Sequence, residues 1–158
     1  MQILLTSRPL SSKPISLVNW LTQVKTQSPF DHVAIEHEGI VYESVVKVGV
    51  HKLLFKDWVV GREGTYLFKY EIPATEIDLS VFDKYNNSGY DIKANLIYFF
   101  IPKKWKKKLL SKKWDNDFFC SEITAIAMRL KDPSFYTPTD IALLCDECGY
   151  LLNIDVIQ

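Results

Sequence analysis

The feature that most constrains this chain is a β-hairpin that can be read from residue parity alone. His32 to His37 and Ile40 to Val46 are rich in Val and Ile, and Glu38-Gly39 between them supplies a turn with Gly where φ must be positive. A two-residue loop pairs residues whose numbers sum to 77. His32, Ala34, Val41, Glu43 and Val45 then share one face of the sheet, because side chains alternate along a strand. Glu43 becomes the diagonal neighbour of His32, within side-chain reach, and small Ala34 leaves the space between them open. A carboxylate beside an imidazole fixes its tautomer and stabilises the imidazolium, which is what a general base needs. The same pair is also an ordinary sight on a solvent-facing strand.

Other elements follow from punctuation and period. Met1 to Thr6 reads as a strand, and Pro14 to Lys25 as a helix with proline in its first turn. Gly49 to Leu54 and Tyr66 to Ile72 read as strands, and Asp78 to Tyr85 as a helix stopped by Asn86-Asn87-Ser88-Gly89. Ile92 to Ile101 is apolar and fits a helix or a buried strand, with helix favoured. From Phe118 to Leu130, Phe119, Ile123, Ile126, Ala127 and Leu130 line one helical face, and Asp132-Pro133 ends the pattern. Thr137-Pro138-Thr139-Asp140 opens a short helix that closes near Gly149, and Leu151 to Ile157 reads as a last strand. Mixed helices and strands around an antiparallel hairpin give an α+β class. With 158 residues, 47% hydrophobic and 24% charged, the expectation is one domain over residues 1–158 rather than a disordered or repetitive chain.

Cys120 is the second chemical candidate. It falls in Asp117-Phe118-Phe119-Cys120-Ser121-Glu122, at the first turn of the clearest helix. A helix amino terminus presents N–H groups and the positive end of a dipole, which favour a thiolate and also an oxyanion on a substrate. Asp117 opposes this if its side chain caps the helix beside the thiol. The alternative is a cysteine acting as a small core hydrophobe.

Together these segments resemble the circularly permuted papain-like cysteine hydrolases of the NlpC-like superfamily, and within it the YiiX/YaeF-like branch. The order of histidine strand first and cysteine helix later is that of the permuted members. The pieces are Phe30-Asp31-His32-Val33-Ala34-Ile35, then Ile40-Val41-Tyr42-Glu43-Ser44 followed by Gly49-Val50. Gly89-Tyr90-Asp91 is similar to a shortened Gly-x-x-Tyr-Asp element. Phe119-Cys120-Ser121-Glu122-Ile123 matches a Tyr-Cys-Ser-Glu-Leu helix start, and Thr137-Pro138-Thr139-Asp140-Ile141 a Thr-Pro-x-Asp-Leu element. The resemblance covers about residues 1–145. It implies a permuted papain-like fold with Cys120 as nucleophile, His32 as base and a polar residue after His32 as orienter, the role that hairpin parity gives to Glu43. Lecithin:retinol acyltransferase, a distant relative, carries a second histidine at that place.

The implied activity is that of a thiol hydrolase, a cysteine peptidase or amidase, or an acyltransferase, working through an acyl-enzyme. Its substrate would be a peptide, with cell-wall peptides among the candidates, or a lipid-like acyl compound, and no cofactor or metal is expected. The competing reading is a binding module of the same fold without turnover. It would hold an anionic membrane, cell-wall polymer or nucleic acid through Lys103 to Lys113. That stretch has seven lysines and no acid, with Trp105 and Trp114 interleaved, and leaves twelve basic residues against nineteen acidic ones elsewhere. A solvated lysine-rich face is its plain alternative.

The remaining candidates are weaker. His51, after Gly49-Val50, is either a second catalytic histidine or an exposed strand histidine. His37 borders the turn on the face opposite His32. Cys145-Asp146-Glu147-Cys148 is a CxxC without the second ligand pair that zinc requires, at the wrong end of a helix for thioredoxin-type chemistry, so two core or rim thiols are expected. Three cysteines and no leader-like start suggest a reducing, cytoplasmic setting.

Overall fold

The computed structural model describes residues 1–8, 29–91 and 117–158. The helix expected over 14–25, the apolar stretch 92–101 and the lysine run 103–113 with its tryptophans lie outside the described residues. Six strands form one antiparallel sheet: β1 (Gln2–Ser7), β2 (His32–His37), β3 (Ile40–Val45), β4 (Gly49–Leu54), β5 (Tyr66–Glu71) and β6 (Leu151–Val156). Their order across the sheet is β4-β3-β2-β1-β5-β6. Among the described residues four α-helices accompany them: α1 (Phe55–Trp58), α2 (Ser80–Lys84), α3 (Cys120–Ala127) and α4 (Pro138–Glu147). The architecture is α+β. Among the described residues no helix is long and apolar enough to cross a membrane.

The hairpin register is the one parity predicts. Ile35 pairs with Tyr42, Glu36 with Val41 and His37 with Ile40, around a turn in which Glu38 and Gly39 have φ of 51° and 79°. Two positive φ values in a two-residue loop match the right-handed twist of the flanking strands. The ladder ends at Ile35–Tyr42, however, and His32 and Ala34 pair with β1 alone, opposite Thr6 and Leu4. The expected direct pairing of His32 with Val45 and of Ala34 with Glu43 is therefore absent, and the far end of the hairpin is open. α3 packs against both strands of it.

Both faces of the sheet are covered at its central strands, which explains the unbroken apolar run Ile3-Leu4-Leu5 in β1. Ile3, Leu5, Val33, Ile35 and Val50 point to one side, where Val81 and Phe82 of α2, Ile123 of α3 and Ile141 of α4 complete the core. Leu4, Ala34, Val41 and Leu67 point to the other, against Trp58 and Ile157. α1 has no counterpart in the expectations above, although Phe55, Trp58 and Val59 carry a short helical spacing.

α3 is shorter than the Phe118–Leu130 helix that the apolar period suggests. It stops because Arg129 takes the left-handed conformation (φ 56°), and the Arg129 and Leu130 N–H groups donate to the Ile126 and Ala125 carbonyls, each at 2.9 Å. That pattern terminates a helix by satisfying its last carbonyls. α4 opens as expected: Thr137 is its N-cap, Pro138 stands in the first turn, and Thr137 and Asp140 form a reciprocal capping box. β6 matches the expected last strand to within a residue.

Two glycines make opposite demands. Gly39 (φ 79°) has open space where a Cβ would sit, whereas a Cβ on Gly49 (φ 80°) would lie 1.9 Å from the Ser88 carbonyl oxygen. Gly49→Ala should thus cost about 3 kcal/mol or more, against about 1 kcal/mol for Gly39→Ala, where only the left-handed backbone is at stake. Urea denaturation of the two variants measures the difference, and equal costs would mean the Ser88 contact does not hold the loop.

Candidate functional site

The site lies at the open end of the hairpin. Glu43 points from β3 into it with its side chain only 2% exposed, a position where a carboxylate needs partners. The Glu43 Oε2 accepts from His32 Nε2 at 2.6 Å and from Trp58 Nε1 at 2.8 Å. Arg62 Nη2 lies 3.4 Å from the same oxygen, and His51 Nε2 lies 3.4 Å from Oε1. Four donors on three segments converge on one buried anion.

Cys120 meets the same imidazole. It is the first residue of α3, buried, and near enough to His32 for its charge to act on the ring. Since Nε2 faces the carboxylate, the neutral ring carries its proton there, and Nδ1 is the nitrogen left for the thiol. The N-cap of α3 is Phe119, which makes no side-chain capping bond. Asp117 is not the cap; it packs against Gly89, where a Cβ would lie 2.4 Å from its Oδ1. The conditional objection that Asp117 would cap the helix beside the thiol is removed.

Adjacent residues of β3 hold the two halves of the site. Glu43 faces His32, and Ser44, pointing the opposite way, donates to the Phe118 carbonyl at 2.6 Å. Phe118 N–H donates to the Gly89 carbonyl at 3.0 Å, and Val50 N–H to the Ser88 carbonyl at 2.9 Å. The loop before Gly89 is thereby tied both to β4 and to the residues leading into Cys120. On the other side of His32, the Asp31 carboxylate accepts from Thr6 Oγ1 at 2.6 Å and lies 4.0 Å from Arg8 Nε.

The electrostatics follow from these contacts. Burial disfavours the His32 imidazolium, but the negative charge and hydrogen bond of Cys120, followed by those of Glu43, outweigh it and push His32 up to about 10. Burial likewise works against an ionised Glu43. Hydrogen bonds from His32 and His51, with the charges of His32 and Arg62, overcome it and hold the carboxyl well below the usual carboxylate range. His51 is raised chiefly by its Glu43 contact, against burial, and its Nδ1 lies 3.0 Å from the Gly49 carbonyl.

The structure brings His32, Glu43 and Cys120 together, and it places His51 in the same cluster rather than on an exposed strand surface. Trp58 and Arg62 are additional members. Trp58 sits four residues before Arg62, whose guanidinium lies 4.4 Å from the indole centroid. β3 ends at Val45 rather than Val46, and the resulting three-residue turn at Val46–Val48 sets His51 directly opposite Glu43, where the longer strand would have set it opposite Ser44. His37 stays at the turn, 3.9 Å from Glu38. Cys145 is buried and Cys148 exposed, a core thiol and a rim thiol. Among the described residues no group of three or more His, Cys, Asp and Glu is arranged to hold a metal ion. Comparisons with family models, curated proteins and solved structures find no match to this chain.

Two titrations test the geometry. Cys120→Ala should lower the His32 midpoint in an NMR titration by roughly one unit or more, and an unchanged midpoint would mean the two groups do not interact. Because the Glu43 pKa is depressed on folding, its contribution to stability is present above about 4.5 and is lost as pH falls. Urea midpoints measured between pH 3 and 6 should therefore fall with pH less steeply in Glu43→Gln than in the wild type.

Proposed function

We propose that the chain is a thiol hydrolase or acyltransferase, a single domain of the permuted papain-like kind, with Cys120 as nucleophile, His32 as base and Glu43 as orienter. The observation that carries this reading is one imidazole placed between a cysteine at a helix amino terminus and a buried, fully engaged carboxylate. A structural core needs no such arrangement, since well-packed apolar residues often replace a buried ionic group at no cost in stability.

In the proposed reaction, His32 Nδ1 takes the Cys120 thiol proton, and Glu43 stabilises the resulting imidazolium through Nε2. The thiolate attacks a carbonyl carbon, and the electron pair of the C=O moves to oxygen. The Cys120 N–H, directed along the α3 axis, donates to that oxyanion. Collapse expels the amine or alcohol, which takes the proton from His32, and leaves a thioester on Cys120. His32 then removes a proton from water or another acceptor, whose attack on the thioester releases the acyl product and restores the thiol. The two steps use only these side chains and the acceptor. A peptide amide, an ester and a lipid acyl bond all fit this chemistry. The reducing, cytoplasmic setting inferred from cysteine content belongs to the same proposal.

Alkylation kinetics test the pair. Brief iodoacetamide treatment at pH 6.5 should modify Cys120 ahead of Cys145, which burial pushes up to about 12. His32→Ala should slow the Cys120 reaction by about tenfold or more, while Cys148, exposed at the C-cap of α4, serves as the internal control whose rate does not change. Circular dichroism establishes that the variant is folded. A Cys120 rate unaffected by His32→Ala would contradict the catalytic pair and favour the binding module.

A further inference from the structure

The catalytic reading uses one donor to Glu43 and leaves three unexplained. They all come from a twelve-residue stretch that runs from β4 through α1 into the following loop. His51 faces Glu43 across the β3–β4 ladder, with Nδ1 3.0 Å from the Gly49 carbonyl and Nε2 3.4 Å from Oε1. Trp58 is fully buried and spends the only polar atom of its side chain on Oε2, the oxygen that also takes His32. Arg62 stacks on the outer face of that indole, donates Nη1 to the Trp58 carbonyl and reaches Oε2 with Nη2. A carboxylate bound by His32 alone could rotate about its last side-chain bonds. With Oε1 and Oε2 held by separate donors, it has one orientation, and so has the imidazole that leans on it.

Resting on the proposed triad, we infer that His51, Trp58 and Arg62 are positioning residues: they hold the Glu43 carboxylate in the one rotation that aims His32 at Cys120, and His51 also sets how strongly His32 retains its proton. The second role follows from charge. His51 Nδ1 lies 3.0 Å from the Gly49 carbonyl and Nε2 lies 3.4 Å from Oε1, so both ring nitrogens face acceptors, an arrangement that favours the protonated ring. It competes with His32 for one negative charge. The groups around the pair are Glu43 from β3, His32 from β2 with Cys120 from α3 behind it, and Arg62 after α1. Arg8 and Asp31 act in turn on Arg62.

Two variants separate positioning from mere packing. Trp58→Phe keeps an aromatic ring beside Phe55 but removes the N–H. It should slow Cys120 alkylation at pH 6.5 by about threefold to tenfold. It should also move the His32 ring N–H proton resonance upfield, as the short bond to Oε2 loosens. His51→Gln keeps an amide donor for Glu43 but binds no proton, so the His32 midpoint should rise by about half a unit or more. If Trp58→Phe fails to fold, His51→Gln decides alone, because His51 is part-exposed and its replacement leaves the core intact. Wild-type values for the alkylation rate, the N–H resonance and the His32 midpoint would overturn the inference. Glu43→Gln tells the two failures apart. If it slows alkylation while the other variants do not, only the positioning role is wrong; if it too has no effect, the triad reading fails.

Discussion

A single buried carboxylate organises this protein's site. Glu43 is charged where water cannot solvate it, and removing any one partner leaves an anion short of hydrogen bonds in a low-dielectric setting. The requirement reaches well beyond the hairpin. It draws His32 from β2, His51 from β4 and the Trp58–Arg62 segment into one place, so the second core, built on Trp58, Leu4, Ala34, Val41 and Leu67, is continuous with the site. Packing and electrostatics are thus not separate layers here: the indole that fills the core is also a hydrogen-bond donor to the carboxylate.

The β3 strand converts this local demand into a geometry for chemistry. Glu43 and Ser44 point to opposite faces of the sheet; one holds the imidazole and the other holds the backbone just before Cys120. Both halves of the proposed nucleophile–base pair therefore hang from adjacent residues of a rigid element. The open end of the β2–β3 ladder gives α3 access to His32, while Gly49 and Gly89 allow the intervening loop to lie close against β4 and Asp117. A Cβ at either glycine would push that loop away from the strand or from the helix entry.

Much of this was legible in the residues, and the reason is period. The Glu38-Gly39 turn sets the hairpin register, and the register sets Glu43 and His32 on one face. The capping signal Thr137-Pro138-Thr139-Asp140 marked α4 correctly because it is local chemistry, complete within four residues. The α3 boundary was misread because apolar spacing continues through Leu130, while the helix ends on a left-handed Arg129 that carries no glycine to announce it. Trp58 and Arg62 stayed hidden for a different reason. Their contacts with Glu43 span fifteen and nineteen residues of sequence, and nothing local distinguishes an indole that donates to a carboxylate from one that only fills space. His51 lay between these cases: it is placed by the β3–β4 turn length, which the one-residue difference between a strand end at Val46 and at Val45 decides.

The central claim is that Cys120 accepts an acyl group with His32 as its base. Intact-mass trapping with a panel of activated amide and ester acyl donors, followed by peptide mapping, tests it most directly. The account predicts a single acyl adduct, mapped to Cys120, that turns over in the wild type and does not form in Cys120→Ala or, at comparable times, in His32→Ala. Acylation that maps to Cys145 or Cys148, or an adduct on Cys120 that forms equally fast without His32, would contradict it.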